Sequence, residues 1–225
     1  MRIHLKVSLI ISLLFINSIA QNAPDTLWTK IFDGGEYWGG DFGYCVQQTL
    51  DGGYIVCGSR ADSTTIYPGI WILKTDQTGD TLWSRTFPGH HGRGRDCLQQ
   101  TVDGGFALVG THLGRIFLIK TDTNGDTLWT KFYDIEEISG TGSVYQTHDG
   151  GYIITGSTPE TDNYFSDVVL IRTNSSGDTI WTKTYDRHYG DLGYSVQQTL
   201  DGGYIIAAET GWWGDFWSDI WLRQN

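Results

Sequence analysis

An all-β fold assembled from copies of one unit is what this chain predicts, on three observations. Asp-Gly-Gly followed by an aromatic residue recurs at Asp51, Asp103, Asp149 and Asp201, a step of about 50 residues that marks a stacked-repeat architecture in which neighbouring units bury a shared core. The composition is rich in glycine and tryptophan and poor in proline, and outside the first 20 residues the apolar positions never recur with a helical period. Within each unit the middle apolar runs, such as Ile-Val-Cys at 55–57 and Phe-Leu-Ile at 117–119, do not alternate with polar residues. Both faces of each sheet must therefore be covered, whereas a two-sheet sandwich would leave one face polar.

Taken in order, each unit reads as four antiparallel strands. The first covers Tyr44 to Thr49, with counterparts at Cys97 to Thr101, Ser143 to Thr147 and Tyr194 to Thr199. It runs into Asp-Gly-Gly, where Asp and Gly are expected to take the two positive-φ positions of a type I′ hairpin. The second strand is Tyr54 to Gly58, echoed by Phe106 to Gly110, Tyr152 to Gly156 and Tyr204 to Ala208. The third is Ile70 to Lys74, echoed by Ile116 to Lys120 and Val168 to Arg172. Sheets covered on both faces and repeated along the chain are satisfied by radial stacking around an axis, which makes the predicted fold a β-propeller of four four-stranded repeats.

A second hairpin follows each third strand, reading Thr75-Asp76-Gln77-Thr78-Gly79-Asp80-Thr81-Leu82-Trp83 in the first unit. Asp76, Asp122 and Asn174 are placed to accept backbone hydrogen bonds at the start of the turn, and Gly79, Gly125 and Gly177 to supply a left-handed residue. Thr78, Asn124 and Ser176 stand where a calcium loop needs a carboxylate, so the motif is read as a turn and no metal is assigned.

The combination Lys-Thr-Asp-x-x-Gly-Asp-Thr-Leu-Trp and Gln-Gln-Thr-x-Asp-Gly-Gly-Tyr resembles the repeat of secreted bacterial and archaeal β-propeller proteins of unassigned function. The hairpin is distantly similar to the tryptophan-docking motif of quinoprotein dehydrogenases, which has one more residue between Asp and Gly. It is similar also to the sialidase Asp-box, which has one fewer there and one fewer between Thr and Trp. Neither supplies a catalytic residue. The quinoprotein resemblance implies that the hairpin leads into the outermost strand, with Trp28, Trp83, Trp129 and Trp181 docking on the neighbouring blade. Lys30, Arg85, Lys131 and Lys183, two positions on, then lie beside the indoles with their charges in water. On this reading Asp25 to Phe32 is an outer strand without its three partners, and Asp219 to Arg223 a third strand without its outer one. Pairing of the two ends would close the ring. A ring-completing dimer and a fragment of a larger propeller are the alternatives to a closed monomer.

The first 20 residues carry Arg2 and Lys6, an apolar stretch from Val7 to Ile16 and small residues at Ser18 and Ala20, the pattern of a secretory signal peptide. Residues 21–225 then form one domain, expected outside the cytoplasm: secreted, periplasmic or on the cell surface. The formal net charge of −11 argues against nucleic acid and anionic membranes as partners, and no other run is long and apolar enough for a transmembrane helix. Cys45, Cys57 and Cys97 stand where other repeats have Ser, Val, Thr or Ala. Small core positions are the favoured reading, a Cys45–Cys57 disulfide the other.

Turns after the first and third strands are uniform, and connections after the second and fourth are not, so variation collects on one face of a propeller. Tyr37, Trp38, Tyr164, Phe165, Tyr189, Trp212, Trp213 and Trp217 fall in or beside these connections and are the candidate ligand-binding residues, suited to stacking on sugars or anchoring a protein. Plugging the mouth of the ring would use the same residues. His90 and His91 are adjacent, a poor metal spacing, and Glu209 is an isolated acid where Ser59, Thr111 and Ser157 stand in other repeats. With no nucleophile–base pair, acid pair or cofactor motif, the expectation is a non-enzymatic module binding a glycan or cell-surface protein without a cofactor. A glycan-processing enzyme is the alternative.

Overall fold

The computed structural model describes residues 27–32, 41–60, 69–87, 97–135, 140–159, 166–186, 190–212 and 217–224. Every regular element among the described residues is a β-strand. Sheet I is the antiparallel meander β1 (Phe42–Gln48), β2 (Tyr54–Arg60), β3 (Gly69–Thr75) and β4 (Thr81–Phe87). Sheet II repeats it as β5 (Leu98–Gln100), β6 (Phe106–His112), β7 (Arg115–Thr121) and β8 (Thr127–Tyr133). Sheet III is β9 (Gly140–Gln146), β10 (Tyr152–Pro159), β11 (Ser166–Thr173) and β12 (Thr179–Tyr185), and sheet IV has three strands, β13 (Gly190–Gln198), β14 (Tyr204–Trp212) and β15 (Trp217–Gln224). Residues of β1, β5, β9 and β13 line one cavity, so the first strand of every sheet is innermost and the arrangement is propeller-like.

The non-alternating runs lie where both faces are covered. Ile55, Ile72, Leu108, Phe117, Leu118 and Ile119 are buried in a core shared by sheets I to III, and Ile153, Leu170 and Ile206 in a second core between sheets III and IV. Outer strands alternate instead: on β4, Trp83, Arg85 and Phe87 are half-buried while Leu82, Ser84 and Thr86 are exposed. The outer strand covers its neighbour with one side only, so one side suffices.

The Asp-Gly-Gly turn differs from the expected type I′ hairpin. Gly52, Gly104, Gly150 and Gly202 have positive φ, but the preceding aspartates do not. Gly52 N donates to Thr49 O and Thr49 N to Gly53 O, which is a type I turn closed by a left-handed glycine. The aspartate has another task that fixes its conformation. Asp51 Oδ1 accepts from Thr49 Oγ1 at 2.6 Å, from Gly53 N at 3.0 Å and from the buried Lys74 Nζ at 3.0 Å. Lys120 repeats the contact to Asp103, and Arg172 to Asp149. A Cβ on Gly53 would lie 2.1 Å from Thr75 O and 2.7 Å from Lys74 Nζ, so the second glycine answers to space where the first answers to φ. The Lys-Thr-Asp hairpin matches its expectation. Asp76 Oδ1 accepts from the Thr78 and Asp80 amides at 2.8 and 2.9 Å, and Gly79 has φ of 81°.

Three recurring contacts join successive sheets. Trp83 stands edge-on to Phe106 of sheet II with ring centroids 5.7 Å apart, Trp129 to Tyr152 of sheet III at 6.0 Å, and Trp181 to Tyr204 of sheet IV at 5.8 Å. The cations beside them reach the next hairpin: Arg85 bonds Asp126 and Lys131 bonds Asp178. The paired glutamines form the third joint. Amides of Leu50, Val102 and His148 donate to Gln100, Gln146 and Gln198 of the following sheet, and Gln47 and Gln99 accept from the amides of Gln100 and Gln146. Tyr145 replaces the first glutamine in sheet III, which removes that acceptor between sheets III and IV.

The ring-closing pair expected between the chain ends is not formed among the described residues. Residues 27–32 are not in a strand, and β15 is the edge of sheet IV. The segment is held on sheet I instead, by the docking that every unit uses: Trp28 lies edge-on to Tyr54 at 5.7 Å and Lys30 bonds Asp80 at 2.7 Å. Leu27 and Ile31 are over nine-tenths exposed, so these two side chains meet no second sheet among the described residues. Cys57 and Cys97 are buried, as small core residues would be. Cys45 and Cys57 stand opposite one another in the β1–β2 register, as the disulfide alternative requires, yet all three thiols are free.

Candidate functional site

The strand meander sends the Asp-Gly-Gly and Lys-Thr-Asp turns to one end of the sheets and the remaining connections to the other. Tyr37, Trp38, Tyr164, Phe165, Tyr189 and Trp213 all lie in these remaining connections, outside the described residues, as do His90 and His91. Trp212 ends β14 and Trp217 begins β15, and the two are backbone partners at the last rung of that ladder. The register thus brings two of the eight candidates together at the variable end of sheet IV.

The same end carries a group that sequence reasoning missed. Asp167 lies near the start of β11, Asp186 follows β12 and Asp191 lies near the start of β13, and their carboxylate oxygens all fall within 4.8 Å of one another. Asp191 is fully buried, Asp167 half-buried and Asp186 exposed, so the cluster opens to solvent from one side. Its origin is visible in sheet II. Ile116 pairs with Tyr133 there as Val168 pairs with Tyr185 in sheet III, so Arg115 and Asp134 occupy the places of Asp167 and Asp186. Arg115 and Asp134 form an ion pair at 2.5 Å. Sheet III puts a carboxylate where sheet II has a guanidinium, and β13 adds a third. Three carboxylates at this spacing can share a proton, accept sugar hydroxyls or hold an oxygen-seeking cation. Aligning Asp167 with Arg115 was the signal that could have found them.

Glu209 has a local explanation. Tyr194 donates its hydroxyl to Glu209 Oε2 at 2.6 Å, and in sheet I the corresponding Tyr44 and Ser59 are 3.0 Å apart. The acid fills a slot that a serine fills elsewhere. Below the rim, the inner strands enclose a cavity of about 300 Å³ lined by Cys45, Gln47, Gln99, Tyr145, Ser195 and Gln197 among others. Its lining mixes amide, hydroxyl and thiol groups with aliphatic ones.

No protein-family model matches the chain, and no curated protein does. Solved structures do. A protein of unknown function from Bacteroides caccae matches 84% of this chain with a TM-score of 0.52, and an endo-arabinase from Bacteroides thetaiotaomicron matches 80% with a TM-score of 0.51. Both are 13% identical to it, so the likeness speaks for the all-β, propeller-like arrangement alone. The chain spans 62% of the length of the first and 73% of the second.

Proposed function

We propose that the chain is an exported β-propeller of four blades that binds a glycan on its variable end. The observation that carries the reading is the division of labour between the two ends. Turns at one end are tied into the sheets by repeated side-chain contacts, whereas the other end holds the connections whose sequence varies between units, several of them carrying aromatic residues, and the carboxylate cluster of Asp167, Asp186 and Asp191. Aromatic faces stack on sugar rings and carboxylates accept sugar hydroxyls, a pairing that suits saccharides better than an apolar ligand. The arabinan-directed name of one structural neighbour agrees with a saccharide ligand. A glycan array that includes arabino-oligosaccharides, probed with the purified chain, tests it. Selective binding weakened by Trp213→Ala at unchanged melting temperature is expected. A blank array, or unfolding by that substitution, refutes it.

A second reading, a glycan-processing enzyme, is favoured by the convergence of Asp167, Asp186 and Asp191. Retaining glycosidases hold two carboxyl groups roughly 5 Å apart, one as nucleophile and one as acid and base. Hydrolysis of an array hit that is abolished by Asp191→Asn, with binding retained, would select this reading. Binding without turnover selects the first.

A further inference from the structure

The cysteines converge across two sheets. Cys45 on β1 and Cys57 on β2 belong to sheet I, and Cys97 immediately precedes β5 of sheet II. Their sulfur atoms all lie within 4.8 Å of one another, and Cys97 Sγ is 3.0 Å from Cys57 Sγ. The fold does not require sulfur at any of these places. Ser143 and Ser195 occupy the position of Cys45 and Cys97 in sheets III and IV, and Val109, Thr155 and Ala207 that of Cys57. At the boundary of sheets III and IV the corresponding trio is Ser143, Thr155 and Ser195, and Ser143 Oγ accepts from Val196 N at 2.9 Å. All three positions are cysteine at one boundary only, that of sheets I and II.

We propose that Cys45, Cys57 and Cys97 form a three-thiolate site for one soft, thiophilic metal ion of the cuprous class. Ligands about 2.3 Å from a shared ion stand roughly 3.8–4.0 Å apart, so the sulfurs reach the required triangle by small side-chain movements. A disulfide would use two of the three and leave the last in contact with the bond. Thiolate ligands select Cu(I) and Zn(II) over harder ions. A structural zinc site takes four protein donors, and no histidine, carboxylate or further cysteine is among the residues lining the adjoining cavity, so zinc here would have to complete its shell with water. A buried site of three sulfurs therefore suits an ion content with low coordination. The ion's route is the central cavity, because Cys45 lines it and is part-exposed while Cys57 and Cys97 are fully buried.

The repeats supply the variants for the test, since each replacement is a residue the same position holds elsewhere: Cys45→Ser, Cys57→Val and Cys97→Ser. The full chain, reduced and desalted without oxygen, is titrated with Cu(I) against the chromophoric competitor bicinchoninate. One equivalent should be withheld from the competitor, with an ultraviolet thiolate-to-copper band, and each variant should hold it at least tenfold more weakly while keeping the parent's circular dichroism. A chain that withholds no copper, or withholds it equally well as Cys57→Val, overturns the assignment. So does a native Cys57–Cys97 disulfide that mass spectrometry finds intact after reductant is applied to the folded protein.

Discussion

Replacing Trp129 by alanine should destabilise the fold by about 3 kcal/mol, through a contact made with the next sheet and not with its own. The indole is half-buried on β8, stands edge-on to the buried Tyr152 of sheet III and lies against Gly177, where an added Cβ would come within 2.8 Å of it. A fully buried Trp exchanged for Ala costs about 3–5 kcal/mol. Trp129 covers its neighbour with one side, so about half of that, roughly 2 kcal/mol, follows from lost burial. The edge-to-face pair adds roughly 1 kcal/mol. With a urea slope of about 2–3 kcal/mol per molar, the midpoint followed by circular dichroism should fall by roughly 1 M. Leu128 is the control, because it precedes Trp129 on the same strand, is 59% exposed and faces outward. Leu128→Ala should stay within about 0.5 kcal/mol. Equal shifts for the two variants, or none for Trp129→Ala, would mean that the outer strands do not bind successive sheets.

Gly177→Ala should cost more than Gly202→Ala in the same urea assay: both glycines have positive φ, but only at 177 would the new methyl meet the Trp129 ring and the Lys131 stem. Stability should also depend on acid. The Asp51 carboxyl is held down to about 2, first by the Thr49 hydroxyl and then by Lys74, and Asp149 and Asp201 are lowered first by Thr147 and Thr199. A carboxyl depressed by folding contributes stability above its unfolded value and loses it as pH falls through the folded one, so the melting temperature should hold down to about pH 4 and drop towards about pH 2. Asp51→Asn should shrink that drop, and an unchanged pH profile would contradict the role given to the turn aspartates. Light scattering on the chain from residue 21 onward should report a monomer if residues 25–32 complete sheet IV in solution, and a dimer if a second copy does so.

Much of the fold was legible because its determinants are local and repeated. The hairpin of Asp76 to Trp83 follows from an Asx acceptor and a left-handed glycine a few residues apart, and the docking of Trp83 was what the resemblance to quinoprotein propellers implied. What stayed hidden depended on partners distant in sequence. Asp51 was read as a turn former, but its geometry is set by Lys74, buried 23 residues further on. The glutamine pair was only a repeat marker until the sheets brought Gln100 against the Leu50 amide. The carboxylate cluster and the three thiols combine residues from two sheets each, and no single unit contains enough of either to stand out.

These joints explain why the two ends of the molecule vary so differently. In sheets I to III the Asp-Gly-Gly turn gives its aspartate to a buried cation and an amide to a glutamine of the following sheet, while the hairpins at Asp80, Asp126 and Asp178 each receive a cation from the segment or sheet before. A substitution at that end therefore breaks a contact within a sheet and another between sheets, and leaves a buried Lys or Arg without its carboxylate. Among the described residues of the opposite end, side-chain contacts change from unit to unit: the Arg115–Asp134 ion pair of sheet II becomes facing aspartates in sheet III, and the Tyr44–Ser59 contact of sheet I becomes Tyr194–Glu209 in sheet IV. Exchanges of charge at that end leave the joints between sheets intact. The repeated end holds the sheets in order, and the opposite end is where a chain of this architecture has room to acquire chemistry.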